Sequence, residues 1–420
     1  MRIVQPSRFN GRFSYLLMGS LLVVSLWLFS THKHQAAHWR GTFYSFAANL
    51  PRQAGQQSQG LLPSAPRFLV DTAQVDAFDS LTPSQQLAFR FGPTTAPLTQ
   101  YVFMQIGYGY ICALARSIFP AAPDGMAVIW LQVLVHLALC GWIVSRLSVG
   151  WQGWFFWLTY ACNPVIIQFV TYDFYYFWQV IPSFMLVICL LGWRGRAIWG
   201  LLWGPLLGLL FVMRPSMLLA ESWLALIWLR QRRPVLAGIS VTLALLLGAW
   251  LYQPVTSVVW RVVYLGIAAY HNPYQDNLSD RAIVNLYEQQ TGKAMVNATS
   301  DPAVETRLAV ITHRAVLHIA QKDPLLFLKN AVCNTLQAFS VGYVVGGGDR
   351  LNYALALLGL VVLYLLLRYR QLEYVIGILA TVGTFTPYYP PIPAYMYGAY
   401  LLLVMSIIPV VGSLIESVKR

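Results

Sequence analysis

Apolar residues fall along this chain in long blocks, not at the alternating spacing of a strand or on one stripe of a helix. The blocks lie at 13–30, 99–119, 126–145, 151–171, 174–193, 197–213, 216–229, 235–254, 351–367, 374–389 and 393–413. A helix needs about 20 mainly apolar residues to cross a hydrocarbon core. Only helices and closed barrels satisfy their backbone polar groups there. The pattern therefore predicts an all-α polytopic membrane protein. One block differs from the rest: 99–119 contains Gln105, Gly107, Gly109 and Arg116 and follows "GPTTAPLT". It is expected to lie along the membrane surface, which leaves about ten transmembrane helices.

Charge sets the sidedness. With 99–119 not crossing, the short basic connections all share one face. They hold Arg146, Arg194, Arg196, Arg230, Arg232, Arg233, Arg368 and Arg370. That face also carries Arg2, Arg8 and Arg12 at the start of the chain, Lys419 and Arg420 at its end, and the acids Glu373 and Glu416. Lys and Arg concentrate in short cytoplasmic loops, so both termini are expected in the cytoplasm. The run 13–30 is read as an uncleaved first span, because "THKHQAAHWR" follows it without a small-residue cleavage pattern. The chain then divides into three parts. Residues 1–254 form a transmembrane module with a first outer loop at 31–125. Residues 255–350 form an outer helical lid, and residues 351–420 form the last spans.

The second outer region reads as helical. Ser279 and Asp280 open a run that Gly292 stops, Ser300 with Asp301 and Pro302 starts another, and Asp323 with Pro324 caps a third. Between Pro302 and Asp323 an apolar stripe of Val304, Leu308, Ile311, Ala315 and Ile319 is flanked by Arg307, Arg314, His318 and Lys322. Such a strip suits a helix at a lipid headgroup surface; it equally suits a lid packed on the bundle.

Composition narrows the class. Of 420 residues, 57% are hydrophobic and 10% charged, and the formal charge is +13. A soluble domain carries about 25% charge. Basic loops and anionic lipid account for the positive balance, so nucleic acid is not an expected partner and membrane lipid is. The five cysteines are scattered and match no metal or disulfide pattern. No P-loop, nucleophile elbow, HExxH or dinucleotide glycine pattern occurs. His32, His34 and His38 offer either a metal site or polar loop residues at an interface. A divalent metal is compatible with the sequence, and no motif requires one.

The chemistry-bearing candidates are acids and cations on the outer side. Asp71, Asp76 and Asp79 sit in "VDTAQVDAFDSLT", either as a solvated turn or with one or two entering a site. Asp173 is the single charge in "FVTYDFYYFWQ", in the outer turn between two spans. An acid at the bilayer centre would cost about 2.5–3.5 kcal/mol on insertion scales, whereas one at the boundary need not. Arg214 in "VMRPSML" is either a bidentate phosphate ligand or an interfacial residue, and Glu221 and His136 are ionisable groups within spans.

Together these motifs resemble the GT-C glycosyltransferases, polytopic enzymes that use polyprenyl-phosphate-linked sugars. "APLTQYVFMQIGYGY" is similar to that family's membrane-parallel element, and "NPVIIQFVTYDFYYFW" to its acid-bearing later turn. "LLFVMRPSMLLAESWLALIWLRQRR" is similar to its Arg-Pro turn, "DPLLFLKNAVCNTLQAFS" to its amphipathic helix, and "TPYYPPIPAYMYGAYLLL" to its late Tyr-and-Pro turn. Two features depart from the family. The first-loop acids come late after the first span, and Tyr388–Tyr389 stands where Arg or His usually precedes Tyr.

The resemblance implies sugar transfer from a polyprenyl-phosphate donor to a lipid, glycan or protein acceptor, with inversion, at the outer face of a bacterial inner membrane. It implies Asp76 or Asp79 as general base, with Asp173 orienting the acceptor or sharing the role. It implies Arg214, or Arg307, Arg314 and Lys322, as the cations for the phosphate or lipid, and Tyr172, Tyr388 and Tyr389 as acceptor or substrate contacts. Two other readings stand beside it. One is an O-antigen polymerase or ligase leaning on His313, Arg314 and His318; the other is a lipid or glycan transporter, although no internal repeat is seen.

Overall fold

The computed structural model describes residues 19–20, 23, 27, 40–57, 68–100, 105–147, 151–193, 196–251, 257–295 and 302–418. The first span at 13–30, apart from isolated positions, lies outside them. So do His32, His34, His38, Arg194, Ser300 and Asp301. The described chain is helical, with one two-stranded antiparallel pairing, Leu69–Val70 against Thr99–Gln100. It divides into two compact units. The first comprises 1–100, 105–252 and 404–420; the second comprises 101–104 and 253–403.

Among the described residues four helices are long and apolar enough to cross a membrane: Asp124–Arg146, Pro234–Leu251, Gly348–Arg368 and Pro393–Ile415. A fifth crossing is reached if the bent pair Pro164–Val170 and Tyr175–Leu190 is one broken span. This is fewer than the apolar blocks alone predict, and the reason is local. The block 151–171 is interrupted at Asn163–Pro164: the Pro nitrogen has no hydrogen to continue the ladder, and Asn163 Oδ1 accepts from Val165 N at 2.9 Å to start a new helix. The block 374–389 ends its helix at Val382 and finishes in turns, and 216–229 yields the 13-residue helix Leu218–Arg230. The block 99–119 yields the 13-residue helix Ile106–Ile118.

In the first unit, helix α1 (Arg40–Gln57) packs on α2 (Ile106–Ile118) where Gly109 meets Phe46. Gly107 on α2 in turn presses on the Leu209 carbonyl of α3 (Gly200–Met213). Helix α3 lies along α4 (Pro234–Leu251) through Gly200, Gly204 and Gly208. Small residues let helix backbones approach closely where lipid offers no hydrophobic drive.

In the second unit, the expected stop at Gly292 and the expected start at Asp323–Pro324 are present, and the start expected at Ser300–Asp301 lies outside the described residues. Arg281–Thr291 ends at Gly292 in the left-handed region (φ 66°), and Asp323 Oδ1 accepts from Leu326 N at 3.1 Å to cap Pro324–Gln337. The stripe on Pro302–Lys322 is used inward. Leu308 and Ile319 are buried, and Val304 and Ile311 pack against the same unit's core. That stripe is therefore not free to meet lipid.

Candidate functional site

Asp173 occupies the break between two apolar helices that meet at 112°. Its turn is held from outside: Gln132 Nε2 donates to the carbonyls of Val170 and Tyr172, both at 2.8 Å. The carboxylate itself is only 1% exposed. Arg40 Nη1 meets Asp173 Oδ1 at 2.7 Å, and the Tyr44 hydroxyl donates to Oδ2 at 2.7 Å. Arg40 and Tyr44 are one turn apart on α1, so both point the same way. The guanidinium also lies over the Tyr172 ring, 5.1 Å from its centroid. Gly125 leaves room for this cluster, because a Cβ there would stand 3.1 Å from Asp173 Oδ2.

The electrostatics are self-consistent. Burial works to lower the Arg40 pKa, Asp173 together with the neighbouring Tyr44, Tyr172 and Tyr108 outweighs it, and the net shift is upward, so the guanidinium stays charged. Burial and then the Asp173 charge push the Tyr44 hydroxyl well above its ordinary value, which keeps it protonated and donating.

An aromatic cluster connects this ion pair to Arg214. Arg214 ends α3, donates from Nε to Ser216 Oγ at 2.8 Å, and lies over the Tyr175 ring at 5.9 Å. Tyr175 contacts Phe174 and Tyr108, and Phe174 contacts Tyr172, with ring centroids 4.3, 6.4 and 5.9 Å apart. Asp173, Tyr172 and Arg214 are thus brought into one neighbourhood.

The first-loop acids divide by role. Asp71 is buried; its side chain caps the helix Thr72–Asp79 and accepts from Gln74 Nε2 at 2.9 Å. Burial would raise its pKa, but hydrogen bonds from Gln74, Thr94 and the Ala73 backbone together outweigh it and hold the carboxyl below its usual range. Asp76 and Asp79 are exposed on the same helix. Phe78 from that helix is buried against Tyr44, ring centroids 6.0 Å apart, so the exposed acids are carried on an element that touches the Asp173 cluster.

In the second unit, Arg307, Arg314, His318 and Lys322 lie exposed on Pro302–Lys322, and the His313 ring meets Trp260 in a tilted contact, centroids 4.1 Å apart. Tyr388 and Tyr389 pack into the core that also holds Leu308. Among the described residues no three His, Cys, Asp or Glu side chains group as a metal site.

Sequence reasoning passed over Arg40 and Tyr44. The available signal was an isolated arginine opening "RGTFYSFAANL" with a tyrosine one turn later. It also passed over the Arg116–Asp124 pair at 2.7 Å, whose Asp124 Oδ2 accepts from Phe91 N and ties the first loop to the helix Asp124–Arg146. Compared with known proteins, the chain matches no family model, no curated protein and no solved structure.

Proposed function

We propose that the chain is a membrane glycosyltransferase that moves a sugar from a polyprenyl-phosphate carrier to an acceptor hydroxyl. In this proposal about ten helices cross a bacterial inner membrane, both termini are cytoplasmic, and the site faces outward. The observation that carries the reading is the buried Arg40–Asp173–Tyr44 cluster at a broken apolar helix, with Arg214 on the same aromatic cluster. The resemblance to GT-C enzymes supports the same assignment.

The chemistry needs two kinds of group. A carboxylate takes the proton from the acceptor hydroxyl, whose oxygen then bonds to the anomeric carbon with inversion. The bond from that carbon to the phosphate oxygen breaks, and its electron pair leaves with the lipid phosphate. A cation stabilises the charge that develops there. Asp76 and Asp79 are exposed and suit the base role. Asp173, held by Arg40 and Tyr44, acts as a positioning residue that fixes the Tyr172 turn. Arg214 suits the departing phosphate, with Arg307, Arg314 and Lys322 as lipid-headgroup contacts. Tyr172, Tyr388 and Tyr389 are the acceptor-side candidates.

The test follows chain-dependent consumption of radiolabelled polyprenyl-phosphate hexoses and pentoses in native membranes. Asp76→Asn with Asp79→Asn is expected to slow transfer by about 10²–10⁴-fold, and Arg214→Gln by about 10²-fold. Both variants are expected to keep wild-type levels of inserted protein. Wild-type turnover in the double-amide variant removes the base assignment. Absence of any chain-dependent consumption removes the function.

A further inference from the structure

The helix Pro324–Gln337 is built inside out. Its polar residues Asn330, Asn334 and Gln337 are buried at 4%, 0% and 0% exposure, while Leu325, Leu328 and Val332 stand out at 72%, 60% and 49%. The inward amide nitrogens find carbonyl partners within the second unit, while the side-chain oxygens of the same three residues are buried without one. Asn334 Nδ2 donates to the Thr386 carbonyl at 3.2 Å, and Gln337 Nε2 donates to the Asn352 carbonyl at 2.8 Å. Asn330 Nδ2 reaches the Ile267 carbonyl at 3.4 Å. In water a surface helix turns its apolar stripe to the core and its polar face outward. The reverse order is favoured where the outer medium is apolar.

Position agrees with polarity. The Leu336 carbonyl lies directly against Gly359 of the span Gly348–Arg368, where no side chain would fit. Gly359 sits roughly 12 Å along that helix from Leu351, at about 1.5 Å per residue, well inside a hydrocarbon core of about 30 Å. The outward face of the span is itself apolar, with Leu357, Leu358 and Val361 exposed. Pro324–Gln337 therefore packs on a helix long and apolar enough to cross a membrane, and both carry exposed apolar side chains. Lys329 does not contradict this, because its ammonium folds back over the Tyr270 ring at 5.6 Å.

We infer that Pro324–Gln337 is embedded in the bilayer, with Leu325, Leu328 and Val332 in contact with lipid acyl chains. The inference is independent of the reaction proposed above. Of the two readings of the preceding stripe the core takes it up as packing, and the lipid contact inferred here belongs to the next helix.

Spin labels test it in the full chain reconstituted into phosphatidylethanolamine–phosphatidylglycerol nanodiscs. The background carries Cys162→Ala and Cys333→Ala, and single labels are placed at Leu325→Cys, Leu328→Cys and Val332→Cys. Gln321→Cys, on the exposed end of the preceding helix, serves as the water reference. Collisions with molecular oxygen are expected to exceed those with a water-soluble nickel chelate at the three sites and to fall below them at Gln321. Chelate collisions exceeding oxygen collisions at the three sites would place the helix in water. Low accessibility to both reagents would mean that a protein surface covers it. Either result overturns the inference.

Discussion

Asp173 and Arg40 hold each other in place of water. Both are about 1% exposed and meet at 2.7 Å, so neither charge keeps bulk hydration. Removing one partner of a buried pair leaves the other uncompensated and typically costs about 3–5 kcal/mol. Asp173→Asn and Arg40→Met are each expected to destabilise the protein by about that amount. The double variant should cost less than the sum by about 0.5–3 kcal/mol. Unfolding of the three proteins in mild detergent measures this, and additive losses would contradict the pairing. Sequence could place Asp173 in a turn between two apolar stretches, because one acid among aromatic residues stands out. It could not supply the partner: Tyr44 is 129 residues away, and Arg40 sits one turn before it on the same helix.

Among elements, starts and stops were legible and lengths were not. Gly292 and Asp323–Pro324 punctuate helices through local chemistry that residue type reveals, whereas the break at Asn163–Pro164 inside the block 151–171 was missed. Whether an apolar block continues as one helix depends on tertiary contacts, and several blocks are interrupted. Helix-to-helix contact at glycine is also tertiary. A Cβ on Gly204 would come 2.5 Å from Leu243 Cβ, whereas one on Gly238 meets nothing within 4 Å. Gly204→Ala is therefore expected to destabilise by about 1–3 kcal/mol. Gly238→Ala should be neutral or stabilise by up to about 1 kcal/mol through helix propensity. Paired thermal melts check the contrast; equal effects at the two positions would contradict the close packing of α3 on α4.

For the molecule as a whole, apolar helices make it a membrane protein, and its orientation rests on charge. Each unit is internally ordered: the first carries Asp76, Asp79, Asp173 and Arg214, and the second carries the cationic helix Pro302–Lys322. The proposed reaction requires that the acids face away from the cytoplasm and the arginine-rich turns face into it. Cysteine placed at Asp76, Asp79, Arg230 and Arg368, all exposed, reads this directly. A membrane-impermeant maleimide applied to intact spheroplasts is expected to label positions 76 and 79 at once, and positions 230 and 368 only after permeabilisation. Labelling of 230 and 368 from outside, with 76 and 79 protected until the membrane is opened, would contradict the account.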